Sequence, residues 1–488
     1  MANVALSNRL YYILSAVFVL LNGYAVATDT DWITLLPFAL ASLFLLLFKL
    51  ETTLLLLCFT VPISFHYDNI GFGLGVSIPD EPMIMFIMIL AIFKFLIHSE
   101  YDYKVFRHPI SIAILINMVW VLITCFTSEL PVVSFKFFLS RLWYVVVFYF
   151  LGVMLFRNFS NIGRYLWLYI IPLAFVIVYT LIKHSAKNYS KDASYEVMQP
   201  FYEAHGVYAA AIAFFIPLLA LYLLYPKRLK INPILWVFIA GLFYLFTKGL
   251  VYSYTRAAWL SVIAAGALAI PIFIRIRFNT ILVLMAVGSF LFITFQNDIY
   301  YLMSKTQDVS SNNMSVHLKS VSNIKSDASN AERINRWVSA YRMFEDRPVT
   351  GFGPGTYMFT YAPFQLYNYH TIISTNFGDV GNAHSEFLGP LSESGIIGLL
   401  SLLAILYFVL LTAFRLLYEA RKGKVRLMSM GIMLGLVTYI IHGVMNNYSD
   451  SDKIAVLWWG SFAMITAMDL YHNPGDKLVN KEPESIEE

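Results

Sequence analysis

Four cationic groups in this chain have types and spacings that could do chemistry. Arg256 opens a hydrophobic segment within Tyr254-Thr-Arg-Ala-Ala-Trp259, and Arg333 and Arg336 stand three apart in Arg333-Ile-Asn-Arg-Trp337. His384 lies in Ala383-His-Ser-Glu-Phe387, about a turn before an apolar run. On a helix Arg333 and Arg336 share a face, and two guanidiniums near a helix start suit two adjacent phosphates. A histidine at a wet surface is the side chain best tuned to accept a proton near neutral pH. Together they would grip an anionic, lipid-linked substrate and do proton chemistry on it. Taken singly, each has a plainer reading: an arginine pair on a solvated helix face, or a structural histidine.

The elements that position these groups are membrane spans. The chain has 488 residues, 59% hydrophobic and 13% charged, with mean hydropathy +0.66. Soluble domains carry roughly 25% charged residues, so the expectation is one all-α polytopic membrane domain. No nucleic-acid partner is expected from a formal net charge of +4. Cys58 and Cys125 both fall inside apolar runs, which argues against a disulfide framework or a thiolate metal site. Arg9, the apolar run 10–25 and small residues to Ala27 resemble a signal peptide, but the many spans that follow favour an uncleaved first span.

Runs of about 20 apolar residues, enough to cross the hydrocarbon, occur near 10–27, 32–49, 52–66, 82–98, 109–126, 135–156 and 164–182. Others lie near 206–225, 231–249, 254–274, 279–296, 396–416, 427–446 and 453–471. The third is short, so the range is 12–14 spans. With the N-terminus inside, every second loop is basic, from Lys104 and Arg107 to Arg421 and Lys422. Loops 67–81, 127–134 and 443–452 contain no Lys or Arg. Both termini are then inside, and one large loop domain, 297–395, is outside between spans 1–11 (residues 1–296) and spans 12–14 (396–473). The acidic tail 474–488 is read as a disordered cytoplasmic end.

Within the loop, 304–330 is rich in Ser and Asn and reads as a loosely packed flap. Ser329-Asn-Ala-Glu332 fits a capping box, and apolar residues at helical spacing predict a helix to about Phe344. Gly351-Phe-Gly-Pro-Gly355 lacks the Lys-Ser/Thr of a nucleotide loop and is read as a tight turn, with backbone amides available near a phosphate. Arg256 and Arg141 are charges near the outer ends of spans, a functional signal by default. His205, Glu203 and His442 also sit at outer helix ends, as weaker candidates, and Glu393 either orients His384 or caps the next helix. Asp29/Asp31 and Asp450/Asp452 read as solvated loop ends rather than a cation site.

At these residues the chain resembles the O-antigen ligase and polymerase superfamily of bacterial envelope proteins. Thr255-Arg-Ala-Ala-Trp259 is similar to that family's Ser-Arg-Gly-Ala-Trp stretch, and Arg333 to Trp337 to its Arg-x-x-x-Trp helix. Asp346-Arg-Pro-Val-Thr-Gly-Phe-Gly-Pro-Gly355 is similar to Asp-His-Pro-Leu-x-Gly-x-Gly-x-Gly, and His384-Ser-Glu-Phe-Leu388 to His-Asn-x-Tyr-Leu. Glu393-Ser-Gly-Ile-Ile-Gly398 looks like Glu-x-Gly-Ile-Ile-Gly. Arg347 and Ser385 depart from the family's His and Asn.

The resemblance implies a glycan donor on undecaprenyl diphosphate, presented at the periplasmic face of the inner membrane. It implies transfer without metal or other cofactor to lipid A-core or a growing glycan, with Arg256 and Arg333 on the diphosphate and His384 as general base. Arg336 joins them on helix geometry. A ligase and a repeat-unit polymerase would share this donor and these parts. A flippase or transporter for lipid-linked sugars, the competing class, would show internal repeats and charges near the midplane. Neither is seen in the sequence.

Overall fold

The computed structural model describes residues 49–67, 76–97, 102–284, 328–371, 381–420 and 423–473, with isolated positions 286–288, 294 and 374. The chain divides into two compact units, 1–57 and 58–488. Predicted spans 10–27 and 32–49, the Asp29/Asp31 pair, most of the Ser/Asn-rich segment and the acidic tail lie outside the described residues.

The chain is an all-α polytopic membrane protein. Helix α1 covers Leu50–Thr60, and the apolar stretch Leu50–Ile63 spans only about 20 Å at helical rise. A small antiparallel hairpin follows, β1 Phe65–Tyr67 and β2 Val76–Ile78, where the sequence suggests only loop. Then come α2 Asp80–Ile97, α3 Pro109–Phe126, α4 Pro131–Leu155, α5 Phe159–Ser185 and α6 His205–Leu224. After these are α7 Pro233–Tyr252, α8 Arg256–Phe273, the loop helix α9 Ala328–Asp346, α10 Leu388–Glu419, α11 Gly423–Gly443 and α12 Asp452–His472. Among the described residues nine of these, α3 to α8 and α10 to α12, are long and apolar enough to cross a membrane. Span 279–296 is represented by the start of a shorter apolar helix, Phe278–Gly288.

Local chemistry sets where the spans start. The His108 side chain caps α3 by accepting from the amide of Ile110 at 3.3 Å, and Asn232 caps α7 from Leu235 at 2.7 Å. Both helices then begin with proline, whose missing N–H costs nothing at a first position.

Burial ranks the helices. In α11 and α12 83% of the apolar window is buried and in α6 78%, against 28% in α7 and α8. So α6, α11 and α12 are the centre, and α7 and α8 present most of their surface to lipid. Gly431 and Gly435, four apart, let α11 approach α6 closely. A Cβ on Gly435 would lie 2.7 Å from the carbonyl oxygen of Phe214, which is backbone and cannot turn aside. Gly435→Leu is therefore expected to separate the two central helices and remove most protein from the membrane fraction, as read by immunoblot.

The loops sort into two groups. At one end Asp469 binds His108 at 3.2 Å and also Arg415, and Tyr471 donates to Asp102 at 3.1 Å, joining loops that the basic pattern places together. At the other end Arg347 meets Glu129 at 2.6 Å, Asn382 donates to the Asn447 carbonyl at 3.1 Å, and His66 meets Glu203 at 3.0 Å. Those residues belong to the loops that the sequence groups as outer.

Asp452 of the Asp450/Asp452 pair is not solvated. Asp452 and Lys453 are 5% and 6% exposed and sit 3.6 Å apart, with Ser64 bridging to Asp80 at 2.9 Å. Asp450 takes the guanidinium of Arg141 at 2.9 Å. Asp452 is buried and paired, so the solvated loop-end expectation is corrected for it, while Asp450 stays 32% exposed.

Candidate active site

The segment that begins with α9 has its own small core. Ala340 and Met343 of α9 pack with Phe352, Tyr357, Tyr361 and Ala383, flanked by Phe364 and Leu388. This cluster sets the height of α9 above the bundle and supports the loop that carries His384.

Arg336 turns into this core. Its guanidinium is 3% exposed and donates to Glu332 at 3.0 Å and to the carbonyl of Asn382 at 3.0 Å, beneath the Tyr361 ring. Glu332 in turn accepts from Thr371 at 2.8 Å and from Ser374. Burial alone would push the Glu332 carboxyl up, but hydrogen bonds from Ser374, Thr371 and Arg336 outweigh it and hold it below the usual carboxylate value. The expected capping box is therefore not formed. Ser329 already lies within the helix, and Glu332 bonds Arg336, Thr371 and Ser374. Arg336 and Arg333 do not form a common exposed pair, because Arg336 is locked to Glu332 and Asn382.

Arg333, half-buried on α9, is the arginine that faces the site. Its charge is felt at His205, His384, His442 and Tyr448, which come from three separate segments. His205 opens α6 and packs edge-on to Tyr195 at 4.6 Å. His442 ends α11, and Tyr448 lies in the following turn, its ring 5.7 Å from that of His442.

His384 is held in the left-handed region, φ 49°, a conformation that costs a non-glycine residue about 1–2 kcal/mol. Two hydrogen bonds fix it there: its amide donates to Asn382 Oδ1 at 3.0 Å, and its carbonyl accepts from Trp337 Nε1 at 3.2 Å. The ring Nδ1 is buried and has no hydrogen-bond partner. Burial, then the charges of Arg336 and Arg333, lower the imidazole to about 4, against a weaker opposing pull from Glu332. The ring is thus neutral at pH 7 and able to accept a proton.

Arg256 stands at the start of α8, which packs on α6 and α11. The preceding Tyr254 donates to the carbonyl of Tyr189 at 2.8 Å, and the Trp259 indole donates to the Leu250 carbonyl at 2.7 Å. These contacts fix Arg256 at the same end of the bundle as His205 and His442.

Arg141 and Glu393 sit elsewhere. They line a narrow cleft with Asn117, Phe137, Asn447 and Asp450, enclosing about 410 Å³ with open solvent included. The Glu393 carboxylate accepts from the amide of Tyr357 at 2.9 Å. It caps the turn after the glycines rather than orienting His384.

The glycine turn has a structural partner. The amides of Phe352 and Gly353 donate to the carbonyls of Ser392 and Glu393 at 3.1 and 2.8 Å, and Ile396 donates to Pro348 at 2.9 Å. Gly351 and Gly395 both have positive φ, and a Cβ on either would strike the other strand's backbone within 2.5 Å. This seam joins the end of α9 to a kink in α10 at Gly395. The amides of Phe352 and Gly353 are therefore committed to carbonyls and do not face a phosphate.

Glu386 had no role assigned from sequence. It accepts from the amides of Tyr448 and Ser449, both at 2.8 Å, and from Ser449 Oγ at 2.7 Å. It thereby pins the turn after α11 against the His384 loop.

Residues 241–403 match the family model described as O-antigen ligase. The matched stretch carries Arg256, Arg333, Arg336, His384 and Glu393, while Arg141, His205 and His442 lie outside it. A search of the curated proteins found no match. The family match supports the O-antigen ligase and polymerase superfamily and points to a membrane glycosyltransferase-like enzyme.

Proposed function

We propose that this protein is an O-antigen ligase-type glycosyltransferase of the bacterial inner membrane, with its site at the periplasmic face and both termini in the cytoplasm. The donor is a glycan on undecaprenyl diphosphate, and the acceptor is an envelope glycolipid such as lipid A-core. The observation that carries this reading is the junction of Arg333 with His384, a guanidinium beside a neutral imidazole whose Nδ1 is buried and unpartnered.

His384 takes the proton of an acceptor hydroxyl, and the freed oxygen attacks the anomeric carbon. The bond from that carbon to the diphosphate oxygen breaks as the new glycosidic bond forms, with inversion in a single displacement. Arg333, with Arg256 at the start of α8, stabilises the negative charge growing on the departing lipid diphosphate. No divalent cation is required for that role. Arg336 acts one step back, holding the His384 loop. His205 borders the site, while Arg141 is held in the neighbouring cleft by its ion pair with Asp450.

A bound diphosphate also tunes the base. Its negative charge offsets the guanidinium charges that lower His384, so the imidazole becomes more basic once the donor is in place. The experiment that tests the function is the envelope glycan profile of a deletion strain on a gel that resolves chain length. Loss of all glycan from lipid A-core, with long undecaprenyl-linked chains accumulating, supports the ligase. Single repeat units still attached to lipid A-core would replace it with a repeat-unit polymerase on the same donor. An unchanged profile would overturn both.

A further inference from the structure

We infer that His442 and Asn446 form a sugar-binding subsite beside Arg333 and His384, an assignment that rests on the transferase reading above. His442 is 1% exposed, yet neither ring nitrogen has a hydrogen-bond partner. Asn446, one turn of chain further on and 3% exposed, has the same property at its amide nitrogen. Its oxygen is engaged, accepting from the Tyr448 hydroxyl at 3.1 Å.

These atoms share one place. The Tyr448 ring lies against His442, and its hydroxyl fills the space above Gly206, 2.1 Å from where a Cβ would stand. Gly206 is next to His205, and the charge of Arg333 reaches His205, His442 and Tyr448 alike. His384, two residues from the carboxylate that pins the Tyr448 turn, adds its own unpartnered Nδ1.

An unpartnered buried polar group is destabilising, and folded proteins satisfy most such groups. Such groups on His442, Asn446 and His384, in segments joined through the Tyr448 turn, are a feature that packing alone would have removed. Their chemistry selects the ligand. A neutral imidazole offers one N–H and one lone pair, and an amide nitrogen offers two N–H groups. That uncharged set of donors and an acceptor matches hydroxyls, each of which both donates and accepts. The anionic part of the donor has Arg333. The sugar ring joined to the diphosphate therefore falls to His442 and Asn446.

The test uses the full-length protein, in a deletion strain for transfer and purified in detergent for unfolding and binding. The binding probe is undecaprenyl diphosphate carrying no sugar. Phenylalanine fills the imidazole's space without its polar atoms, so a purely structural site would tolerate it. His442→Phe is expected to lower transfer at least about tenfold, with an unchanged or raised unfolding temperature. Affinity for the sugar-free diphosphate should be unchanged, and His442→Gln, which keeps a donor and an acceptor, should retain part of the transfer.

Full transfer by His442→Phe, with Arg333→Ala and His384→Ala inactive, would overturn the subsite and leave the transferase reading standing. Full transfer by all three would sink both. A lower unfolding temperature in both His442→Phe and His442→Leu would make the ring a structural element. Weaker binding of the sugar-free diphosphate would make it a phosphate ligand. Either result overturns the sugar assignment.

Discussion

His384→Ala is expected to lose glycan transfer by roughly 10²–10⁴-fold while the protein stays in the membrane and still binds its donor. The ring does not anchor the fold, since its Nδ1 has no partner and the loop is held through backbone bonds to Asn382 and Trp337. Alanine in place of a left-handed histidine keeps that strain, so the backbone arrangement is retained at similar cost. Arg333→Ala is expected to weaken donor binding as well as turnover, because a guanidinium acts on the diphosphate both before and during its departure.

The pH dependence follows from the same pair. A base lowered to about 4 is in its active, neutral form above that value and is lost as pH falls through it. The acid limb of kcat/KM, which reports the free enzyme, should lie near pH 4. At saturating donor the diphosphate offsets the arginines, and the acid limb of kcat should move to higher pH. Arg333→Met should raise the limb of kcat/KM in the same direction, since it removes one of the charges that depress the imidazole. A limb that stays fixed in all three measurements would exclude His384 as the base.

Arg336→Ala is expected to cost about 3–5 kcal/mol of stability, the usual penalty for leaving a buried charge without its partner. Arg336 and Glu332 are 3% and 4% exposed, so water cannot replace the lost bonds. The Asn382 carbonyl would lose a donor at the same time, releasing the loop that holds His384. Thermal unfolding of the detergent-purified protein reads the first effect, and transfer at low temperature reads the second. Arg336→Lys keeps the charge without the two-pronged geometry. It should be intermediate in stability and near wild type in donor affinity; a donor affinity as weak as that of Arg333→Ala would make Arg336 a phosphate ligand after all.

The all-α, membrane-spanning character of the fold is legible in the sequence. Apolar runs of span length and the alternation of basic loops depend on the bilayer, a solvent whose demands are visible residue by residue. The α9 helix followed from its apolar spacing, ending at Asp346 instead of near Phe344. The errors share one cause. Arg333 and Arg336 do lie on one stripe, but which edge of the stripe is buried depends on Thr371, Ser374 and Asn382, far away in the chain. Asp452 looked like a loop end because Ser64 and Asp80, which enclose it beside its own neighbour Lys453, come from other turns of the fold. His442 ranked low for the same reason, its surroundings being supplied by α6, α9 and the Tyr448 turn. The three-residue hairpin strands were simply too short to leave a period.

The seam between the glycine turn and the kink of α10 bears on how such a protein could diversify. It is made of amides and carbonyls, with glycines keeping the two strands in contact. Side chains on the outer rim of the loop are not part of that joint. Lineages could rewrite the rim to suit new sugars or new acceptors, one substitution at a time, while the frame that holds the base in register with the arginines is inherited intact.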